Sequence, residues 1–299
     1  MSSASGYKYL PSELAESLRH FGMTVRRPVQ GLQQGLHRSP HFGSSVEFAE
    51  YREYTYGDPI ALIDWSVYAR TDRHMIRRYH EETNLRAYVM LDTSASLGFQ
   101  DEGHMTKLEY ACYLAAGFMY VLTSQGDSVG LMLFDRKLQE VLEPVQSFEG
   151  LRPLLLRLET LSASGQGNIE AAIHEATAQL RAKSLVIVIS DFLQETEQLN
   201  RGLRHLWHDG HNISAVHVLD PGERRLTFGG VASVRDMETG DRMTVEIDEI
   251  RHAYHAAVDR YLEALKAACT ECMADYRMVD TRTPVDETLT HLFKSRTAV

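Results

Sequence analysis

Four apolar runs constrain this chain more than any other feature, because each of them runs straight into an aspartate. Ala87–Leu91, Ser128–Phe134, Leu185–Ser190 and Ile213–Leu219 are short, rich in Val, Ile and Leu, and show no alternation. Strands of that kind are covered on both faces. Amphipathic helical patterns lie between them. One opens on the capping box Thr106-Lys107-Leu108-Glu109, a second covers Phe148–Leu161, a third follows Asn168 as its cap, and a fourth covers Glu195–His208. Such alternation predicts an α/β fold with a doubly wound, mostly parallel sheet. The carboxyl ends of parallel strands share one edge, where folds of this class bind ligands. Asp92, Asp135, Asp191 and Asp220 are therefore expected along that edge. Four neighbouring acids repel unless they are separated, protonated or neutralised by a cation.

The first run surfaces as Asp92-Thr93-Ser94-Ala95-Ser96, a carboxylate followed by hydroxyls at two-residue spacing. Hard oxygen donors of this kind, with a few waters, suit Mg²⁺. The competing reading is a strand-end aspartate with two serines that bond local backbone. Other chemistry is thinly represented. The sequence has no G-x-x-x-x-G-K-[ST] phosphate loop, no G-x-G-x-x-G after the first strand and no G-x-S-x-G elbow. The position two after Asp92 is Ser94, where a D-x-D phosphotransferase would place an acid. No nucleophile–base pair stands out, so no catalytic residue is assigned. Cys269 and Cys272 form a C-x-x-C inside a helical run and read as thiols on a helix face. His205, His208 and His211 are spaced by three but interrupted by Gly210, and His252 and His255 read as surface histidines, as those three do.

The 299 residues carry a net charge of −10, unevenly distributed. Residues 1–86 hold 11 Lys+Arg against 10 Asp+Glu, leaving 20 against 31 for residues 87–299. That balance argues against a nucleic-acid or anionic-membrane surface on the C-terminal part. No apolar stretch reaches the ~20 residues of a membrane helix, and the first ten residues have no signal-peptide pattern. With only three cysteines, a cytoplasmic protein without membrane insertion is expected. The organisation reads as an N-terminal helix and linker over 1–45 and a small strand-rich elaboration over 46–86. An α/β domain follows over 87–299, with a hairpin insertion at about 223–247. Within 46–86, Arg52, Asp64, Arg70, Asp72, Arg77 and Arg78 are interleaved with Trp and Tyr, which predicts partial burial, and Tyr56–Pro59 reads as a turn.

Asp92-x-Ser94-x-Ser96, with Asp191 after a later strand, resembles the metal-ion-dependent adhesion site (MIDAS) of von Willebrand factor A domains. Upstream, Ser45-x-Glu47-Phe48-x-Glu50-x-Arg52-x-Tyr54, Gly57-Asp58, Ile63-Asp64-Trp65, Ala69-Arg70-Thr71, Arg77-Arg78-Tyr79 and Glu81-Glu82 resemble the signature of the bacterial domain of unknown function 58 (DUF58), a von Willebrand A-like family. The resemblance spans roughly residues 30–220. It implies a Rossmann-like A domain that works by binding, in a non-enzymatic adaptor often paired with MoxR-type AAA+ ATPases. Asp92, Ser94, Ser96 and Asp191 would hold Mg²⁺, directly or through water, and a partner's carboxylate would complete the shell. The family's threonine ligand is expected in the loop Ser164–Ile169, where Gly167 takes its place and brings no side-chain oxygen. A weak or absent metal is the expected result. The rival function is a Mg²⁺-dependent phosphoester hydrolase using Asp92, Asp191 and perhaps Asp220.

Overall fold

The structure is a computed structural model that describes residues 6–19, 21, 46–55, 60, 63–81, 85–180, 183–226 and 229–295. The chain divides into two compact units, residues 30–84 and the remainder. The remainder begins with helix α1 (Ser12–Arg19). In the smaller unit, β1 (Val46–Glu53) pairs antiparallel with β2 (Met75–Glu81), and α2 (Trp65–Thr71) lies between them in sequence. Buried Asp64 starts α2 by accepting from the Ser66 and Val67 amides, and the Tyr51 hydroxyl donates to it at 2.9 Å. Arg52 is half-buried, while Arg70 and Asp72 are exposed, so Asp64 is the buried member among the described residues of that charged group. Pro28–Ser45 and the Tyr56–Pro59 turn lie outside the described residues, as do the Arg77 and Arg78 side chains.

The larger unit is the doubly wound sheet. Its strands are β3 (Arg86–Asp92), β4 (Ser128–Phe134), β5 (Leu138–Val145), β6 (Leu185–Ser190), β7 (Asn212–Leu219) and β10 (Asp275–Asp280). They lie in the order β10-β7-β6-β3-β4-β5, all parallel except β5 at one edge. The helices are α3 (Lys107–Ser124), α4 (Phe148–Glu159), α5 (Ile169–Gln179), α6 (Thr196–His208), α7 (Pro221–Arg225), α8 (Ile247–Glu271) and α9 (Val285–Ser295). A two-stranded hairpin, β8 (Val231–Arg235) and β9 (Arg242–Glu246), precedes α8.

Each central strand distributes its side chains between two cores, which is why its sequence does not alternate. Ala87, Val89 and Leu91 of β3 join Val129, Leu131 and Leu133 of β4 under α1, α3, α4 and α9. Tyr88, Met90, Met132, Val186 and Val188 face the opposite layer of α5, α6 and α8. Helix α3 is buried on nearly all sides, and its capping box forms as expected, with Thr106 and Glu109 bonding reciprocally. Cys269 and Cys272 are buried free thiols in the second layer, and burial pushes the Cys269 thiol up to about 12. Sequence periodicity did not announce β5. It is a half-exposed edge strand, with a Pro near its end and acids spread along it.

Close approach fixes one position in this sheet. A Cβ at Gly130 would stand 2.8 Å from the Leu142 carbonyl oxygen and 3.0 Å from the Tyr88 ring, so the β4–β5 pairing tolerates only glycine there. Gly130→Ala is expected to cost about 1–3 kcal/mol by overpacking and to lower the melting temperature. An unchanged melt would show that the β5 edge yields freely.

Candidate metal centre

β3 and β6 are neighbours in parallel register, so Asp92 and Asp191 leave the sheet side by side at its carboxyl edge. Asp92 is buried. Its Oδ1 accepts from the Ser94 amide at 2.9 Å, and its Oδ2 accepts from the Ser190 hydroxyl at 2.6 Å. The Ser94 and Ser96 hydroxyl oxygens lie 3.1 Å apart, both buried. Ser94 starts a short 3₁₀ turn, Ala95–Gly98, that returns Ser96 to the same side. Asp191 sits at a turn whose next residue, Phe192, has φ of +52°, a costly conformation for an aromatic residue. The Phe192 amide donates to Ser190 Oγ and its carbonyl accepts from the Tyr261 hydroxyl, which holds the turn in place.

Burial, with the charge of Asp191 nearby, pushes the Asp92 carboxyl up to about 7. Asp191 has its own counterion. Lys107 Nζ donates to Asp191 Oδ2 at 2.8 Å and to Glu223 Oε1 at 2.6 Å, and its side chain is wholly buried. Burial alone would lower the Lys107 pKa, but the two carboxylates more than offset it and hold the ammonium charged. A cavity of about 10 Å³, room for one water-sized group, is bordered by Asp92, Ser94, Gly167, Ser190, Asp191 and Glu238.

Mg²⁺ prefers octahedral oxygens at about 2.1 Å, which puts neighbouring ligands about 3.0 Å apart. The Ser94–Ser96 hydroxyl pair already has that spacing. Asp92 supplies a buried carboxylate with hydroxyl and amide donors but, among the described residues, no cationic partner, so the residues present fit a divalent ion. Among the described residues no three His, Cys, Asp or Glu side chains form a metal-binding group. This cluster owes half of its donors to hydroxyls.

The other two strand-end acids do different work. Asp220 is fully buried and accepts from the amides of Asp101, Glu102, Gly103 and Gly222 and from the Thr281 hydroxyl. Burial raises its pKa, but those backbone donors outweigh it and leave Asp220 below the usual carboxylate range. It is a structural clamp. Asp135 anchors the loop before α5, with its carbonyl accepting from the Asn168 amide. That loop is stitched to the Asp-x-Ser-x-Ser loop by Ser164 N to Thr93 O and by Ala95 N to Gly165 O, both at 2.9 Å. Within this loop, a Cβ at Gly167 would come 3.5 Å from Ser94 Oγ. The residue with positive φ in this loop is Gly165, at +79°, so Gly167 is not required by its backbone conformation.

The histidines do not converge on a site. His205 stacks on His174, His211 is buried against the Ser184 amide, and His208 is exposed. Sequence reasoning missed Lys107, Ser190, Glu223 and Glu238. A lysine in the first turn of a helix opposes the helix dipole, and that misfit was the one available sign that Lys107 has buried acidic partners.

A model of the family described as "Protein of unknown function DUF58" matches residues 50–263. The chain belongs to this family. A relative, the uncharacterized protein Rv1480 of Mycobacterium tuberculosis, is 27% identical over 239 residues, covering 79% of this chain and 74% of the relative. An uncharacterized protein of Mycobacterium bovis matches to the same extent. Among solved structures, BatB of Bacteroides thetaiotaomicron is 19% identical over 72% of this chain and 98% of its own, with a TM-score of 0.47. An aerotolerance-related membrane protein of Bacteroides fragilis is 18% identical over 71% of this chain and 99% of its own, at 0.49. The VWA domain of SpRpn10 is 11% identical over 70% and 95%, at 0.44. The fold of this chain is a doubly wound, mostly parallel α/β sheet flanked by helices. Among its described residues no helix is long and apolar enough to cross a membrane.

Two outcomes are expected at the site. Lys107→Met leaves Asp191 and Glu223 buried without their cation and should cost about 3–5 kcal/mol in chemical denaturation. A loss below 1 kcal/mol would mean the pair is dispensable. In metal-free protein, the raised Asp92 pKa favours the folded state most below the ordinary carboxylate pKa. That contribution falls away as pH rises toward about 7. Asp92→Asn, neutral at every pH, should therefore melt above wild type in EDTA at pH 8 and match it near pH 4. Equal melting at pH 8 would remove the charge penalty from the account.

Proposed function

We propose that this chain is a non-enzymatic adaptor whose MIDAS-type site, built from Asp92, Ser94, Ser96 and Asp191, holds a divalent cation against an acidic side chain of a protein partner. The observation that carries the reading is the pair of buried serine hydroxyls 3.1 Å apart beside a buried carboxylate that has no counterion among the described residues. Mg²⁺ bound there would supply Lewis-acidic positions open to a carboxylate. Asp92 and the two hydroxyls would hold it, while Asp191, already donated to by Lys107 and the Leu193 amide, would act through water. The partner implied by the DUF58 resemblance is a MoxR-type AAA+ ATPase, in protein maturation or complex assembly, and a cytoplasmic location goes with that role. The hydrolase alternative loses support because Asp220, its third acid, has every approach filled by backbone and hydroxyl donors.

Complex formation with the ATPase, measured by pull-down from native lysate and then with purified partners, should weaken in EDTA. It should also weaken in Asp92→Ala and in the milder Ser94→Ala, with circular dichroism confirming that both fold. Undiminished binding by both variants would remove the metal from the adaptor's mechanism.

A further inference from the structure

The tip of the β8–β9 hairpin reaches this site from a part of the chain where sequence offered no candidate. Glu238 Oε1 accepts from the Gly167 amide at 3.1 Å, and the neighbouring Ser96 hydroxyl favours the charged form of the Glu238 carboxylate, against the burial that raises its pKa. A Cβ built on Gly167 would stand 3.3 Å from that same Oε1. The space into which a residue 167 side chain would project, toward Ser94, therefore already borders a carboxylate oxygen. Glu238 also lines the small cavity together with Asp92, Ser94 and Asp191.

The tip is built to hold this position. Residues 236–241 connect the last paired residues, Arg235 and Arg242. The Asp236 carboxylate accepts from the amides of Glu238 at 2.7 Å and Thr239 at 2.9 Å, and Gly240 turns the chain at φ of +80°. The Met237 methyl lies against Gly98, at the end of the 3₁₀ turn that carries Ser96. Both strands of the hairpin are otherwise largely exposed, with Val231 at 70% and Met243 at 67%. Its engagement with the site is thus concentrated at the tip.

We infer that Glu238 is a cation ligand of this site supplied from within the chain, replacing the oxygen that Gly167 lacks. This rests on the divalent-cation reading of Asp92, Ser94 and Ser96. The pieces match in kind: a carboxylate is a stronger hard-cation ligand than a threonine hydroxyl, and it adds the charge that raises affinity. The site is then complete in one chain, and an acidic partner side chain competes with the hairpin for the outer position.

The test is calorimetric titration of the full chain with Mg²⁺ and with Mn²⁺, alongside melting in EDTA to confirm folding. Wild type, Glu238→Ala, Glu238→Gln, Asp92→Ala and the double variant Gly167→Thr/Glu238→Ala are compared. Both Glu238 variants should lose at least about tenfold in Mn²⁺ affinity. Glutamine keeps an acceptor for the Gly167 amide, so its failure separates cation ligation from a merely structural bond. Threonine at 167 should restore most of the affinity lost in Glu238→Ala. Wild-type affinity in both Glu238 variants, with binding lost in Asp92→Ala, would overturn the inference and leave the cation site standing. No binding by any form, wild type included, would overturn both.

Discussion

A strand buried on both faces can place polar residues only at its ends. The central strands β3, β4 and β6 obey that limit, and the ends of all five parallel strands fall along one edge. The edge is therefore the one place in the sheet where acids and hydroxyls gather without breaking the core. The burial that makes the sheet stable also strips water from the groups at its rim, which is why Asp92 titrates near neutrality. A second carboxylate at that rim is tolerated because Lys107, on the helix that covers the sheet, brings an ammonium to it.

The four strand-end aspartates look alike in sequence and diverge in structure. What separates them is the number of donors each finds. Asp220 meets five and is closed by them, while Asp191 meets an ammonium and one amide. Asp92 meets a hydroxyl and one amide and keeps its charge deficit. The strands, most helices and the Asp-x-Ser-x-Ser cluster were legible because each is a local pattern of period, capping or spacing. Apart from one amide two residues on in each case, the donors come from residues 61 to 119 positions away and have no local signature.

Edge strand β5 and the reach of Glu238 were illegible for a related reason. An exposed antiparallel edge needs neither a continuous apolar run nor strict alternation, so Leu138–Val145 carries acids and a proline without penalty. The hairpin was legible as a hairpin from its alternation and glycines. Nothing in its own residues says where its tip comes to rest. Its base is held by the start of α8, through bonds such as Ile247 N to Gly230 O, and its tip by the Gly167 amide. Gly167 shows the opposite case: the family resemblance singled it out in sequence, and the structure adds that no positive φ demands a glycine there.

The backbone stitches between residues 93–95 and 164–165 have a mechanical consequence. The loop they secure ends at Asn168, whose side chain caps α5, and the Ile169 amide is bonded to Gln194 just beyond β6. There is little slack between the serine loop and the first turn of α5. A helix of 11 residues is a rigid rod of about 16 Å. The rim of the sheet and the first turn of the outer helical layer are thereby joined by a short, fully bonded stretch of backbone, and the position of the serines and the pose of α5 are fixed together.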